Sequence, residues 1–166
     1  MTPVAFAYEI LAADKEKVIS LFGIFSRLEY SLKKAGYRRK NLKYLACDWR
    51  SFSKSAVNEL KQCDAPLFLA AVDLLVDKFP RQQNIDMTWD DKTPPFGSSR
   101  IEIAINSSVR IRNNLFHGGK DDFRNFERNN QLIDAAIVVL SECSNINEIQ
   151  HYYYGATNAY VRAEAL

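Results

Sequence analysis

The sequence has few of the residues that bind metal ions or form disulfides. It contains only two histidines, His117 and His151, and three cysteines that are far apart and have no CxxC spacing: Cys47, Cys63 and Cys143. An odd number of scattered cysteines is typical of reduced thiols in a core and not of a disulfide framework. A zinc site needs clustered ligands, so the sequence predicts neither a metal ion nor another cofactor.

Long apolar runs and a strong net charge are missing as well. No segment approaches the roughly 18 apolar residues that a membrane-spanning helix needs. The first residues lack the basic region and the long apolar run of a secretion signal. We therefore expect a cytoplasmic protein with no membrane partner. The formal net charge is only +2 over 166 residues, so the overall charge does not identify a nucleic-acid binder.

Apolar residues recur at helical spacing through most of the sequence. A chain of this length fits one domain, over residues 1–166. We predict an all-α fold, a compact bundle of about five helices. They run from Asp14 to about Ala35, from about Lys40 to Gln62 with a break near Asp48, over Ala65–Phe79, from Ser98 or Ser99 to about Phe116, and over Asp121–Cys143. The third is apolar nearly all round, which predicts a central position. Residues 145–166 form a tail or a short helix, and no strand is predicted.

The fourth helix carries an arginine on its apolar side. At about 100° per residue, Arg112 falls near the middle of that side. Arginine keeps its proton in a protein, so a buried one needs a partner. The first helix has the matching anomaly, because Glu29 interrupts its apolar stripe. We expect Glu29 and Arg112 to meet, or both to line one partly buried groove. The alternative is a purely structural ion pair that fixes helix register.

The same helix ends on His117, and Gly118 and Gly119 follow it. Asn113 precedes the histidine by four residues and therefore lies on the same face. Its amide can fix the orientation and tautomer that a general acid or base requires. The glycines leave room for backbone N–H groups beside a phosphate, although a plain helix stop explains them as well.

These residues resemble a known motif. The run RNNLFH, residues 112–117, resembles the R-N-x-x-x-H form of the Rx4-6H motif of HEPN domains, and RIRNNLFHGG is especially similar to their Apea-like branch. The segment LFGIFSRLEYSLKKAGY, residues 21–37, resembles the first HEPN helix, which often carries an acidic residue near its middle. HEPN domains are compact helical bundles, and many are metal-independent endoribonucleases that dimerise. By helix order the resemblance covers most of the chain.

The resemblance implies that Arg112, Asn113 and His117 are catalytic, with Glu29 as the carboxylate that holds the arginine. We assign RNA binding to their neighbours: Arg110, Asn114, Gly118, Gly119 and Lys120. Arg110 and His117 also satisfy the loose form of the motif. We prefer Arg112, because an asparagine follows it directly.

The expected chemistry is transesterification of RNA without a metal. His117 acts as a base towards a ribose 2′-OH or as an acid towards the leaving oxygen, and Arg112 stabilises the charge on the phosphorane. The two residues lie about 140° apart on an ideal helix. One chain would not easily aim both at one phosphate, so we expect a homodimer whose two motifs share a cleft.

The resemblance also implies a biological role as a toxin or phage-defence effector, with an antitoxin or an associated defence protein as partner. Gly119 stands where nucleotidylated HEPN toxins carry a tyrosine, which argues against control of that kind. The alternative function is a non-catalytic HEPN-like module that binds nucleotides or a partner protein. An all-α adaptor with a chance motif is a third reading. Catalysis requires both Arg112 and His117, whereas a binding module depends little on His117.

Overall fold

The protein is an all-α bundle, as the sequence predicts. The computed structural model describes residues 11–40, 42–116 and 125–163. Within these residues lie six helices, one more than expected: α1 (Lys15–Lys34), α2 (Trp49–Leu60), α3 (Pro66–Asp77), α4 (Arg100–Phe116), α5 (Phe126–Ser144) and α6 (Asn147–Ala163). The loop before α4 contains a short antiparallel hairpin that was not predicted, formed by β1 (Gln82–Gln83) and β2 (Trp89–Asp90).

Helix α1 begins and ends where its sequence predicts. Asp14 accepts hydrogen bonds from the backbone N–H groups of Glu16 at 2.9 Å and Lys17 at 3.1 Å. These bonds satisfy amides that the first turn leaves free. After the last turn, Gly36 adopts a φ of +101°, a conformation that favours glycine and ends the helix.

Helix α2 is shorter than the predicted segment because Asp48 starts it. The Asp48 carboxylate accepts hydrogen bonds from Ser51 Oγ at 2.7 Å and Ser51 N at 3.1 Å. These bonds lower the pKa of the Asp48 carboxyl. The chain before it is partly extended, and Arg38 forms an antiparallel bridge with Cys47. The predicted break near Asp48 is therefore the N-terminus of the helix.

Helix α5, and not α3, occupies the centre of the bundle. It packs on α1, α3 and α4, and its inward side chains are buried along its whole length. On α3, Phe68 and Leu75 are buried, but Leu67 and Leu69 are 75% and 48% exposed. The prediction of a central third helix is wrong, because α3 packs through one side only and leaves apolar side chains exposed on the other.

The C-terminal segment forms a full helix, α6, where the sequence left a tail or a short helix open. It packs against α1. Arg27 fastens the two together, because its Nε and Nη2 donate hydrogen bonds of 2.8 Å to the carbonyl oxygens of Tyr153 and Tyr152. α6 thus completes the bundle on the side of α1.

The three cysteines are free thiols. Cys47 and Cys143 are buried, as predicted, and Cys63 is half-buried. Burial raises the pKa of Cys47 to about 12 and also raises the pKa of Cys143. The two buried thiols therefore stay protonated near neutral pH, where a thiol is a poor nucleophile.

Candidate active site

The RNNLFH run lies at the C-terminal end of α4. Arg112, Asn113 and Asn114 are half-buried there, and Phe116 ends the helix with 47% of its surface exposed. Four of the residues to which the sequence assigns function lie outside the described residues: His117, Gly118, Gly119 and Lys120. The described part of the motif is therefore its arginine and its two asparagines.

The Arg112 guanidinium lies close to two aromatic rings. Its central carbon is 4.9 Å from the ring centroid of Phe25 on α1 and 5.1 Å from that of Phe116. The Phe116 ring also contacts Phe22, with the ring centroids 5.3 Å apart. Aromatic faces attract a guanidinium and stack on its plane. The positive charge is thus held in place by rings.

Within the described residues, one hydrogen bond is found for the half-buried Arg112. Its Nη1 donates to Asn113 Oδ1 at 3.2 Å. Its Nε is buried and has no hydrogen-bond partner among the described residues. No described carboxylate forms an ion pair with it. A buried donor without an acceptor is unfavourable, so an anion that brings acceptor oxygens would stabilise this group.

Glu29 and Arg112 form no hydrogen bond or ion pair with each other, so the expectation that they meet is wrong, whereas a groove lined by both stays a prediction. Glu29 Oε1 instead accepts a hydrogen bond from Lys33 Nζ at 3.1 Å, one turn along α1. The packing of α1 on α4 sets Phe25 level with Arg112. Glu29 comes four residues after Phe25, roughly 6 Å further along the helix axis. The arginine therefore meets a ring where the helical pattern suggested a carboxylate.

The loop before α4 binds Arg110. Its Nη1 donates to the carbonyl oxygens of Pro80 at 3.2 Å and Thr93 at 2.8 Å, and its Nη2 donates to Gln82 Oε1 at 3.1 Å. Burial lowers the pKa of Arg110, and the charge of Asp90 opposes that shift. Because the protein already engages these donors, the geometry favours a structural role for Arg110 over the predicted RNA contact. It also favours Arg112 as the arginine of the motif.

The two asparagines after Arg112 form hydrogen bonds with different partners. Asn113 accepts the hydrogen bond from Arg112 and thereby orients the guanidinium, a contact that the sequence did not suggest. Its predicted contact with His117 involves a residue outside those described. Asn114 was assigned to RNA binding, and its Nδ2 donates to the carbonyl oxygen of Arg81 at 2.8 Å. Asn114 therefore attaches α4 to the preceding loop.

A small cavity lies between α4, α5 and the β-hairpin. It has a volume of about 100 Å³, and Arg81, Trp89, Asn114 and Arg128 are among the residues that line it. Burial lowers the pKa of Arg128, and the nearby charge of Arg81 lowers it further. This cavity brings two cations and an aromatic ring beside the motif helix.

An open groove lies on the Asn113 side of the same helix. It has a volume of about 430 Å³ and runs between α2, α4 and the loop before α4. Arg50 and Phe96 line it, and neither residue is among those predicted to have a function. A signal was available, because Arg50 and Lys54 are four residues apart and so form a basic stripe on one face of a helix.

We also searched the described residues for a metal centre and for a membrane-spanning helix. Within residues 11–40, 42–116 and 125–163, no group of three or more His, Cys, Asp or Glu side chains is placed to hold a metal ion. Across the same residues, no helix has the length and hydropathy needed to cross a bilayer. Comparisons of the chain with protein-family models, with curated proteins and with solved structures found no match.

Proposed function

We propose that the chain is a metal-independent endoribonuclease in which Arg112 and His117 are the reacting groups. The ribose 2′-oxygen forms a bond to the adjacent phosphorus, and the bond from phosphorus to the 5′-oxygen breaks. The proton of the 2′-OH goes to a base, and a proton is delivered to the departing 5′-oxygen. The products are a 2′,3′-cyclic phosphate and a free 5′-hydroxyl. DNA lacks the 2′-OH and is not cleaved.

The observation that carries this proposal is the environment of Arg112. Its charge is fixed between Phe25 and Phe116, its Nε is buried without a partner among the described residues, and no described carboxylate pairs with it. A preoriented cation in a partly dry site stabilises negative charge that develops on a phosphate more strongly than one in water. Charge neutralisation of this kind is what a phosphorane requires.

His117 supplies the proton transfer in this proposal. It follows Phe116 directly in the sequence, so it comes immediately after the residue whose ring contacts Arg112. An imidazole with an unperturbed pKa near 6.5 acts as either acid or base at neutral pH. Asn113 positions Arg112 through its hydrogen bond. Glu29 has no role in this scheme, because its carboxylate pairs with Lys33.

We also propose that two copies of the chain share one cleft. Arg112 and His117 point about 140° apart on an ideal helix, and two facing motifs would supply both groups to one phosphate. An apolar edge beside Arg112 supports this arrangement: Ile19 is 45%, Phe22 49% and Phe116 47% exposed. Light scattering on the Phe22→Asp variant is expected to show a monomer, whereas Leu67→Asp on α3 is expected to leave the dimer intact. A wild-type protein that is monomeric at micromolar concentration and fully active contradicts the shared cleft.

The resemblance to HEPN toxins and defence proteins extends the proposal to a toxin or phage-defence effector that an antitoxin or associated protein restrains. The non-catalytic alternative uses the same arginine to hold a nucleotide or partner without turnover. The two differ in their dependence on His117, so the His117→Ala variant separates them.

The test is incubation of purified protein with total RNA in excess EDTA, in parallel for wild type, His117→Ala and Arg112→Lys. We expect wild type to cleave, and both variants to lose at least about 100-fold in rate. Arg112→Lys keeps the charge but loses the planar fork, so its loss reports geometry. RNA that stays intact with wild type, or cleavage that His117→Ala leaves unchanged, contradicts the proposal. Retained RNA binding without any cleavage favours the binding module.

A further inference from the structure

We infer that the groove between α2, α4 and the loop before α4 binds single-stranded RNA next to the motif. Its lining residues include Arg50, Phe96, Asn113 and Arg110. The Arg110 guanidinium already donates hydrogen bonds to the loop before α4, so Arg110 forms part of the groove wall and is not assigned a phosphate. The choice of RNA as the polyanion rests on the proposed function, whereas the groove itself is argued from its charge, its exposed ring and its position.

Two cations converge on one ring at the edge of this groove. The Arg50 guanidinium carbon is 4.6 Å and the Lys54 Nζ is 5.4 Å from the ring centroid of Phe96. In the part of the chain that the structure describes, neither cation forms an ion pair with a carboxylate. None of the described residues that line the groove is an aspartate or a glutamate. Two cations that contact one ring and have no carboxylate partner among the described residues make this edge of the groove positive, and the phosphates of a strand are attracted to such an edge.

The local backbone keeps the Phe96 ring at the surface. Pro95 is buried before it, and Gly97 after it packs so tightly that an added Cβ would lie 2.7 Å from Ile103 N. The loop is therefore pressed against the first turn of α4, while Phe96 keeps 42% of its surface exposed. An exposed ring flanked by cations is the combination on which the bases of a single strand stack.

The groove leads to the motif through Asn113. This residue lines the groove, and its Oδ1 accepts the hydrogen bond from Arg112 Nη1 at 3.2 Å. A strand that follows the groove therefore passes within one side chain of the proposed catalytic arginine. Arg50, Lys54 and Phe96 bind the flanking nucleotides in this arrangement and take no part in the bond-breaking step.

The test measures binding separately from cleavage. A fluorescent 12-nucleotide oligouridylate is titrated by anisotropy with the full chain carrying His117→Ala, so that the strand stays intact. Adding Arg50→Gln with Lys54→Gln is expected to weaken binding at least about tenfold at low salt. It should also reduce the slope of log K against log salt by about 1.4, because each lost phosphate contact removes about 0.7 for a single strand. Lys61→Gln removes one positive charge directly after the far end of α2 and should change the affinity less than twofold.

A second variant tests the ring. Phe96→Leu keeps an apolar side chain and is expected to weaken binding about fivefold or more, because it removes the stacking surface. A DNA strand of the same length should bind within about fivefold of RNA, since phosphates and stacking are shared by both. A glutamate-rich peptide of equal charge should not compete, and competition by it would assign the groove to an acidic protein partner instead.

The outcomes separate this inference from the proposed function. If wild type binds the strand through Arg50 and Lys54 but cleaves no RNA, the endoribonuclease proposal fails and the groove stands. If wild type cleaves RNA while the double variant binds as tightly as its parent, the inference that the groove binds RNA is wrong and the endoribonuclease proposal is unaffected. Absence of any binding by the parent overturns the groove as well.

Discussion

Arg110 and Arg112 lie two residues apart on α4 and differ in how many hydrogen bonds the protein makes to them. Arg110 donates to two backbone carbonyls and a glutamine side chain of the preceding loop. Arg112 donates to its neighbour Asn113, stacks near two rings and keeps a buried Nε without a partner among the described residues. A guanidinium that holds a loop through three hydrogen bonds acts as a structural clamp. One that makes a single hydrogen bond among the described residues keeps donors for a ligand.

The largest effect is expected from exchanging the two arginines for lysine in turn. Arg112→Lys should lower the RNA cleavage rate at least about 100-fold, because lysine cannot reproduce a planar, stacked fork. Arg110→Lys should leave the rate of the folded protein within about threefold of wild type. Initial rates in excess EDTA, with folding checked by circular dichroism, compare the two. Equal losses in both variants would remove the distinction between clamp and ligand site.

The second prediction concerns the free energy of unfolding, to which Arg110 is expected to contribute. Arg110→Ala removes charge-assisted hydrogen bonds to the loop and should lower the free energy of unfolding by about 2–3 kcal/mol. Urea denaturation measures it, and Lys61→Ala, at an exposed residue directly after α2, serves as the control. A change below about 0.5 kcal/mol would show that the loop does not depend on this arginine.

A smaller effect is expected from loosening the ring contact of Arg112. Phe116→Leu keeps an apolar side chain but removes one aromatic face, and a partly exposed cation–π contact is worth about 0.5–1 kcal/mol. The cleavage rate should fall about two- to fivefold with little change in the melting temperature. Phe126→Leu, which changes another half-exposed phenylalanine, is the matched control. An unchanged rate in Phe116→Leu would mean that the ring does not position the guanidinium.

The smallest effect is expected from Glu29→Gln. Its observed partner is Lys33, four residues away on the same helix, and such pairs contribute about 0.3–0.5 kcal/mol. Cleavage should be unchanged, and Lys33→Gln should give a matching small loss of stability in thermal melts. A loss of about 3 kcal/mol or more with impaired cleavage would indicate instead that Glu29 stabilises Arg112.

Helix positions followed from local signals in the sequence, and packing partners did not. Asp14 begins α1 by accepting hydrogen bonds from the first turn, and Gly36 ends it through its positive φ. Both signals act within a few residues of the helix end. The spacing of about 100° per residue also predicts that Arg112 interrupts the apolar side of α4. It could not show which residue of α1 lies level with Arg112, because that depends on how the two helices are shifted along each other. The helical pattern therefore predicts Glu29 beside Arg112, where the structure has Phe25.

The polar side of α4 shows the same limit. Glu102 is only 6% exposed, and its carboxylate accepts hydrogen bonds from Ser98 N at 3.1 Å and Ser98 Oγ at 3.0 Å. A polar stripe normally indicates a solvated face, but here the preceding loop and α2 cover it. The loop binds mainly through backbone carbonyls, which carry no signal in the sequence. The groove with Arg50 and Phe96 depends on that coverage and so was not predicted.

The most direct test of the central claim is mass spectrometry of the RNA fragment ends produced in excess EDTA. If Arg112 and His117 act on a ribose 2′-OH and its phosphate, wild type yields 2′,3′-cyclic phosphate and 5′-hydroxyl ends, and His117→Ala yields none. Fragments that carry 5′-phosphate and 3′-hydroxyl ends, formed only when magnesium is supplied, would contradict it.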